Sequence, residues 1–170
     1  MPSPKPYVAV VGSGEAGEAT CALARDLGRE VARRGAVVVC GGLGGVMEAA
    51  CRGAREEGGT TLGILPGDDR RAANPFVDVA VATGLGEVRN ALVARTADVV
   101  VAVAGEFGTL SEIALALRMG KPVVGLSTWE LARDGRPVEA ILRASSAGEA
   151  AELALAQLTA RSTTREDGSR

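Results

Sequence analysis

Residues 7–17 read Tyr7-Val8-Ala9-Val10-Val11-Gly12-Ser13-Gly14-Glu15-Ala16-Gly17. An unbroken apolar run that stops at glycine is the pattern of a strand buried on both faces, as in a parallel sheet. The turn after it is a formal GxGxxG leading into a helix, the arrangement that brings backbone close to a phosphate. That helix spans about residues 17–34 and stops at Gly35.

The same unit recurs along the chain. Strands are expected over 36–40, 60–65, 77–82, 98–103 and 122–126, with helices over 44–57, 86–96, 108–119 and 149–160. Residues 68–75 read as a polar loop and 129–141 as less regular. Alternation of this kind predicts an α/β fold with a doubly wound, Rossmann-like parallel sheet of about six strands and helices on both faces. One domain is expected over residues 1–160, followed by a polar, frayed tail over 161–170.

Composition narrows the chemistry. The 170 residues are 46% hydrophobic but only 2% aromatic, so the core must be built from Ala, Val, Leu and Ile. A net charge of −2, with 17 arginines scattered among 21 acidic residues, gives no nucleic-acid surface. The proline-rich start, Met1 to Tyr7, lacks the apolar stretch of a signal peptide, and no apolar run approaches the roughly 18 residues of a membrane span. Cys21, Cys40 and Cys51 have no CxxC spacing and are expected as reduced core thiols in a cytoplasmic protein. With no histidine, Ser-His and Cys-His nucleophiles and most zinc sites are excluded, and no metal site is expected. Lys5 and Lys121 are the only lysines, and neither suits a pyridoxal-phosphate Schiff base.

Three glycine-rich turns follow strands and mark the expected ligand site at their carboxyl ends. The first supplies Gly12, Ser13 and Gly14. The second, Cys40 to Gly45, supplies Gly41, Gly42, Gly44 and Gly45; so many glycines carry a backbone-entropy cost that close approach to a ligand would explain. It lacks the Asp or Glu that holds a dinucleotide ribose, which argues against NAD. The third turn supplies Gly105, Glu106, Gly108 and Thr109. Thr109 can cap the next helix or donate to a phosphate, and Glu112 lies one turn in, either beside the same mouth or as a carboxylate that steadies the helix dipole.

On these motifs the chain resembles the LOG-like family, loosely called lysine-decarboxylase-like, and its molybdenum-cofactor-carrier relatives. The family's PGGxGTxxE is matched by Ala104-Gly105-Glu106-Phe107-Gly108-Thr109-Leu110-Ser111-Glu112, and its GGxxGxM by Gly41 to Met47. Glu87-Val88-Arg89-Asn90 stands where the family has its catalytic arginine. The resemblance covers residues 7–126. Gly63 to Gly67 and Thr83 to Asn90 look most like the subgroup related to the carrier proteins. It departs from the hydrolase pattern at Glu106, a carboxylate beside the phosphate cradle, and at Asn90, where hydrolases usually have Lys.

The resemblance implies a binding protein for a small phosphorylated, nucleotide-like ligand such as a molybdopterin-type cofactor, with no resident cofactor required. Its alternative is a phosphoribohydrolase that cleaves the N-glycosidic bond of a nucleoside 5′-monophosphate. There Glu112 would act on water or the ribose, and Arg89 would steady the charge developing at the bond. A regulatory module with a vestigial site is a third reading. A pyridoxal-dependent decarboxylase is excluded by the lack of a suitably placed lysine and of any histidine. A homodimer is also expected. Helices 86–96 and 108–119 carry apolar side chains on more than one face, and members of the family pair through them.

Overall fold

The computed structural model describes residues 4–167. Nine strands and five α-helices form among these residues. The first half runs β1 (Tyr7–Gly12), α1 (Glu18–Arg33), β2 (Val37–Cys40), α2 (Val46–Glu56), β3 (Thr61–Leu65), β4 (Val79–Ala82) and α3 (Asn90–Thr96). The second half runs β5 (Val99–Val103), α4 (Phe107–Arg118), β6 (Val123–Leu126), β7 (Ala132–Arg133), β8 (Arg136–Pro137), β9 (Ile141–Ala144) and α5 (Ala147–Asp167). Seven strands form one sheet in the order β4-β3-β2-β1-β5-β6-β9, with every pairing parallel.

The doubly wound sheet expected from the sequence is therefore present, with one strand more than about six. The extra strand is β9, which pairs with β6 in the register Val123↔Ile141 to Leu126↔Ala144. The irregular stretch before it holds a hairpin of β7 and β8. Its two-residue turn is Asp134-Gly135, both at positive φ (51° and 71°), the geometry that Asp-Gly favours between antiparallel strands. Helix α5 starts two residues earlier than expected and runs on to Asp167, into the segment read as a tail. Ser146 receives the Glu149 N–H on its hydroxyl, while the Glu149 carboxylate accepts from Ser145, a reciprocal cap on that helix start.

Two apolar layers sandwich the sheet. Val8, Val10, Val101 and Val103 pack with α1, α2 and α5 on one face. Ala9, Val11, Val100 and Ala102 pack with α3 and α4 on the other. Strand β5 is buried along its whole length, so valine, whose branched Cβ suits a pleated surface, fills both faces. Helices α1 and α2 touch backbone to backbone: a Cβ on Gly28 would fall 2.0 Å from the Ala50 carbonyl oxygen, and one on Gly53 1.9 Å from that of Arg25.

That contact predicts an inversion of helix propensity. Alanine in place of an internal helix glycine normally stabilises by about 1 kcal/mol. Here Gly53→Ala must push two helices apart, and a net loss of about 2 kcal/mol is expected, the range for overpacking. Urea unfolding measures it, and a Gly53→Ala protein as stable as the wild type would show that the helices are not held this close.

Candidate functional site

Strand β1 has β2 on one side and β5 on the other, and the chain reverses its winding direction between β1 and β5. Open α/β sheets bind ligands in the crevice at such a switch point, outside the carboxyl ends of the strands. Gly12 pairs with Val103 at that end, so the first and third glycine turns emerge side by side.

The first two turns are stitched together. Ser13 accepts the Val46 N–H on its carbonyl at 3.0 Å. Its hydroxyl donates to the Glu15 carbonyl at 2.5 Å, within its own turn. Gly45, at φ +61°, lies against the same peptide: a Cβ there would sit 2.3 Å from the Ser13 oxygen. Gly44 has the Gly14 carbonyl nearest to its missing side chain, and Gly42 has Leu65. Gly14 and Gly45 also line a cleft of about 650 Å³ at the starts of α1 and α2, with Arg25 and Arg52 on its walls.

Gly41 has a different neighbour. A Cβ on it would meet the Arg89 guanidinium at 2.6–2.8 Å, so the arginine lies directly over the second turn. Arg89 ends a 3-10 turn, Gly86–Arg89, just before α3, and is only 7% exposed. Its Nη1 donates to Asn90 Oδ1 at 2.5 Å and stands 3.9 Å from Glu112 Oε1. Its Nε is buried without an acceptor, an unused donor at the floor of the site. Beneath Gly41, Cys40 and Cys51 are buried with their sulfurs 3.4 Å apart, and Cys40 also accepts the Gly42 N–H.

The third turn bends sharply. Gly105, at φ +98°, lies so close to Thr109 that a Cβ would fall 2.3 Å from its hydroxyl oxygen. Thr109 is buried, whereas Glu106, Phe107 and Gly108 are exposed. Glu106 precedes the helix without capping it by its side chain. The first bond of the α4 ladder runs from the Leu110 N–H to the Glu106 carbonyl, which leaves the N–H groups of Phe107, Gly108 and Thr109 ahead of the ladder. Added to the helix dipole, they suit an anion.

One turn into α4, Glu112 is also 7% exposed. Burial pushes its carboxyl up to about 7, with the Arg89 charge opposing. Burial likewise holds the Arg89 guanidinium below its usual range, offset by Glu112 and Cys40. The pair can therefore present a fixed positive charge beside a carboxyl that gains or loses a proton near neutrality.

The structure thus gathers the buried Arg89, Glu112 and Gly41 with the half-buried Asn90 into one cluster, with Thr109 on α4 adjoining it and Gly105 packed against Thr109. Gly14 and Gly45 open instead onto the α1–α2 cleft. Beyond β5, the sequence reading had no residue near the end of β6. There Trp129 meets Phe107, ring centroids 5.5 Å apart, beneath the β7–β8 hairpin. The Asp134-Gly135 pair was the available sign of that hairpin.

Fold and site define a Rossmann-like α/β protein whose glycine turns and the start of α4 meet at its switch point. Residues 5–161 match the SLOG cluster4 family, LDcluster4, and the chain belongs to that family. Among similar proteins, an uncharacterised protein of Archaeoglobus fulgidus is 42% identical over 119 residues, 70% of this chain and 78% of that one. The molybdenum cofactor binding protein of the phototrophic bacterium Rippkaea orientalis is 35% identical with a TM-score of 0.82, covering 92% of this chain and 99% of its own. The molybdenum cofactor carrier protein of Chlamydomonas reinhardtii is 38% identical with a TM-score of 0.79, covering 93% and 99%.

The raised Glu112 titration carries a stability prediction. An unfolded Glu titrates near its ordinary 4.5, while the native carboxyl keeps its proton up to about 7. Between these values the native state binds more protons than the unfolded one, so this residue lowers stability as pH rises through the window and has no further effect above it. Glu112→Gln lacks the term, so its stability relative to wild type should climb by up to about 3 kcal/mol between pH 4.5 and 7. Urea unfolding at pH 5 and pH 8 reads the difference, and an offset that stays constant between them would contradict it.

Proposed function

We propose that this chain binds a small phosphorylated, nucleotide-like ligand of the molybdenum cofactor type, as a carrier or binding protein. The observation that carries this reading is the likeness at 35–38% identity, over nearly their whole length, to solved proteins that bind or carry that cofactor. The local chemistry agrees. The phosphate would sit on the N–H groups of Phe107, Gly108 and Thr109 at the start of α4, with the turn at Gly105 shaped around it. Arg89, buried over Gly41, adds a positive charge behind that cradle. Gly12, Ser13, Gly14, Gly42, Gly44 and Gly45 fix the two turns alongside. Among the described residues no group of three or more His, Cys, Asp or Glu could hold a metal ion, so the chain would hold the ligand through its phosphate rather than through a metal. Glu106 stands where the hydrolase pattern has Gly, and Asn90 bonds to Arg89 where a hydrolase would usually hold Lys; both departures favour holding a ligand over cleaving one.

One observation favours a second reading. Glu112, titrating near 7 beside Arg89, is suited to general acid–base work on the N-glycosidic bond of a nucleoside 5′-monophosphate. Adenine released from AMP, and lost by about 10²-fold or more in Glu112→Gln, would move the protein to this class.

The working unit is proposed to be a homodimer in the cytoplasm. Helix α5 packs on the α1–α2 face and does not cover α3 and α4. Val88, 70% exposed, stands on the α3 side with Leu85 and Leu92. Val81 continues this apolar surface, because it shares its register with Ile64 of the same layer. A twofold partner would bury these side chains.

Native mass spectrometry of the gently purified chain tests both parts at once. The expected species is near twice 17.2 kDa and carries the additional mass of a phosphorylated pterin. A bare dimer from cells that make the cofactor would argue against the carrier reading, and a 17.2 kDa monomer against the interface.

A further inference from the structure

A second recess lies beside the cradle. It is a cleft of about 1070 Å³ between the carboxyl ends of β6 and β9 and the β7–β8 hairpin, walled by Thr128, Trp129, Pro137, Val138, Ile141 and Leu142. Its chemistry differs from that of the glycine turns: aromatic and aliphatic side chains share its walls with the charged Glu130, Glu139 and Arg143.

Three observations connect it to the start of α4. The Thr128 hydroxyl donates to the Ala104 carbonyl at 2.5 Å, tying the end of β6 to the third glycine turn. Phe107, the first residue of α4, is 76% exposed with its ring tilted against Trp129 at 5.5 Å. An exposed aromatic ring packed against a residue of the cleft wall is available for stacking. The Trp129 indole N–H is buried without an acceptor within the protein, so the ring offers its face rather than its N–H to the cleft. Backbone strain clusters here too: Ala104 and Ser127, neither of them glycine, hold positive φ of 46° and 53° at the two strand ends.

Toward β2, three of the turn glycines are closely packed by the chain itself. Gly12 is covered by Val46 and the Val103 carbonyl, Gly41 by Arg89, and Gly45 by the Ser13 peptide. A ring attached to a phosphate at the start of α4 finds aromatic surface toward β6, whereas the α1–α2 cleft lined by Gly14 and Gly45 has none.

We propose that this cleft seats a planar nitrogen heterocycle, the ring portion of the ligand, stacked on Phe107 and Trp129 while its phosphate lies on the α4 start. The proposal rests on the ligand-binding reading above and adds where the ring goes. Pterin and purine share the required chemistry, a flat aromatic face with ring nitrogens that accept hydrogen bonds.

Titration calorimetry on the full chain, with inorganic pyrophosphate, AMP and 6-hydroxymethylpterin monophosphate as probes, tests it. Phe107→Ala and Val138→Asp lie outside both core layers, so folding is not at stake. Each should weaken the ring-bearing phosphate by about tenfold, the usual scale for loss of a base–aromatic stack, and Val138→Asp, which lies outside the phosphate cradle, should leave pyrophosphate unchanged. The probe that shows the loss, pterin or purine, is the ring the cleft takes. Trp129→Phe should retain more affinity than Trp129→Ala, because it keeps the stacking face. Ring-bearing phosphates that bind the wild type and both variants equally, or no more tightly than pyrophosphate, would overturn the placement of the ring while leaving the phosphate site standing. Failure of all three probes to bind the wild type would overturn both.

Discussion

At the carboxyl end of β1 the chain has no space for a side chain. A Cβ on Gly12 would fall 2.6 Å from Val46 and 2.7 Å from the Val103 carbonyl. The start of α2 and the end of β5 therefore converge on one backbone position. That convergence fixes where the second glycine turn and the third can lie, and with them the Arg89 guanidinium over Gly41 and the N–H groups that open α4. Close-packed interiors transmit such a constraint, because a displaced backbone has nowhere to relax.

The buried Arg89–Glu112 pair is the electrostatic counterpart of that packing. A buried ion pair rarely repays the removal of its charges from water. At 3.9 Å, with Glu112 pushed up to about 7, this one is loose and partly neutral near physiological pH. Its Arg89 charge is then only partly cancelled, and an anionic ligand would complete it. The same imbalance would serve proton transfer. This is why the carrier and hydrolase readings share residues and are separated by turnover rather than by geometry.

Much of this was legible in the sequence. Strands β1, β2 and β5 are apolar runs ended by glycine turns, and no competing pattern fits them. Arg89, Glu112 and Thr109 were marked by motif position. The reasons for the glycines were only half legible. Composition indicated that something approaches the backbone closely at Gly41 and Gly45, but the nearest atoms belong to Arg89 and Ser13, distant in sequence or across a turn. Strand β9 was missed because Ile141-Leu142-Arg143-Ala144 is short and polar at one position, and its pairing with β6 is what makes it a strand. Trp129 was passed over because nothing in its local sequence announces that it will meet Phe107.

The central claim is that the start of α4, shaped by Gly105 around Thr109, receives the phosphate of a ligand. A crystal structure of the chain soaked in sulfate or phosphate tests it most directly. The account predicts an ordered anion within hydrogen-bond distance of the Gly108 and Thr109 N–H groups, stronger in Glu106→Gly, where the neighbouring carboxylate is gone. Anions ordered only elsewhere, with the α4 start left to solvent in both proteins, would contradict it.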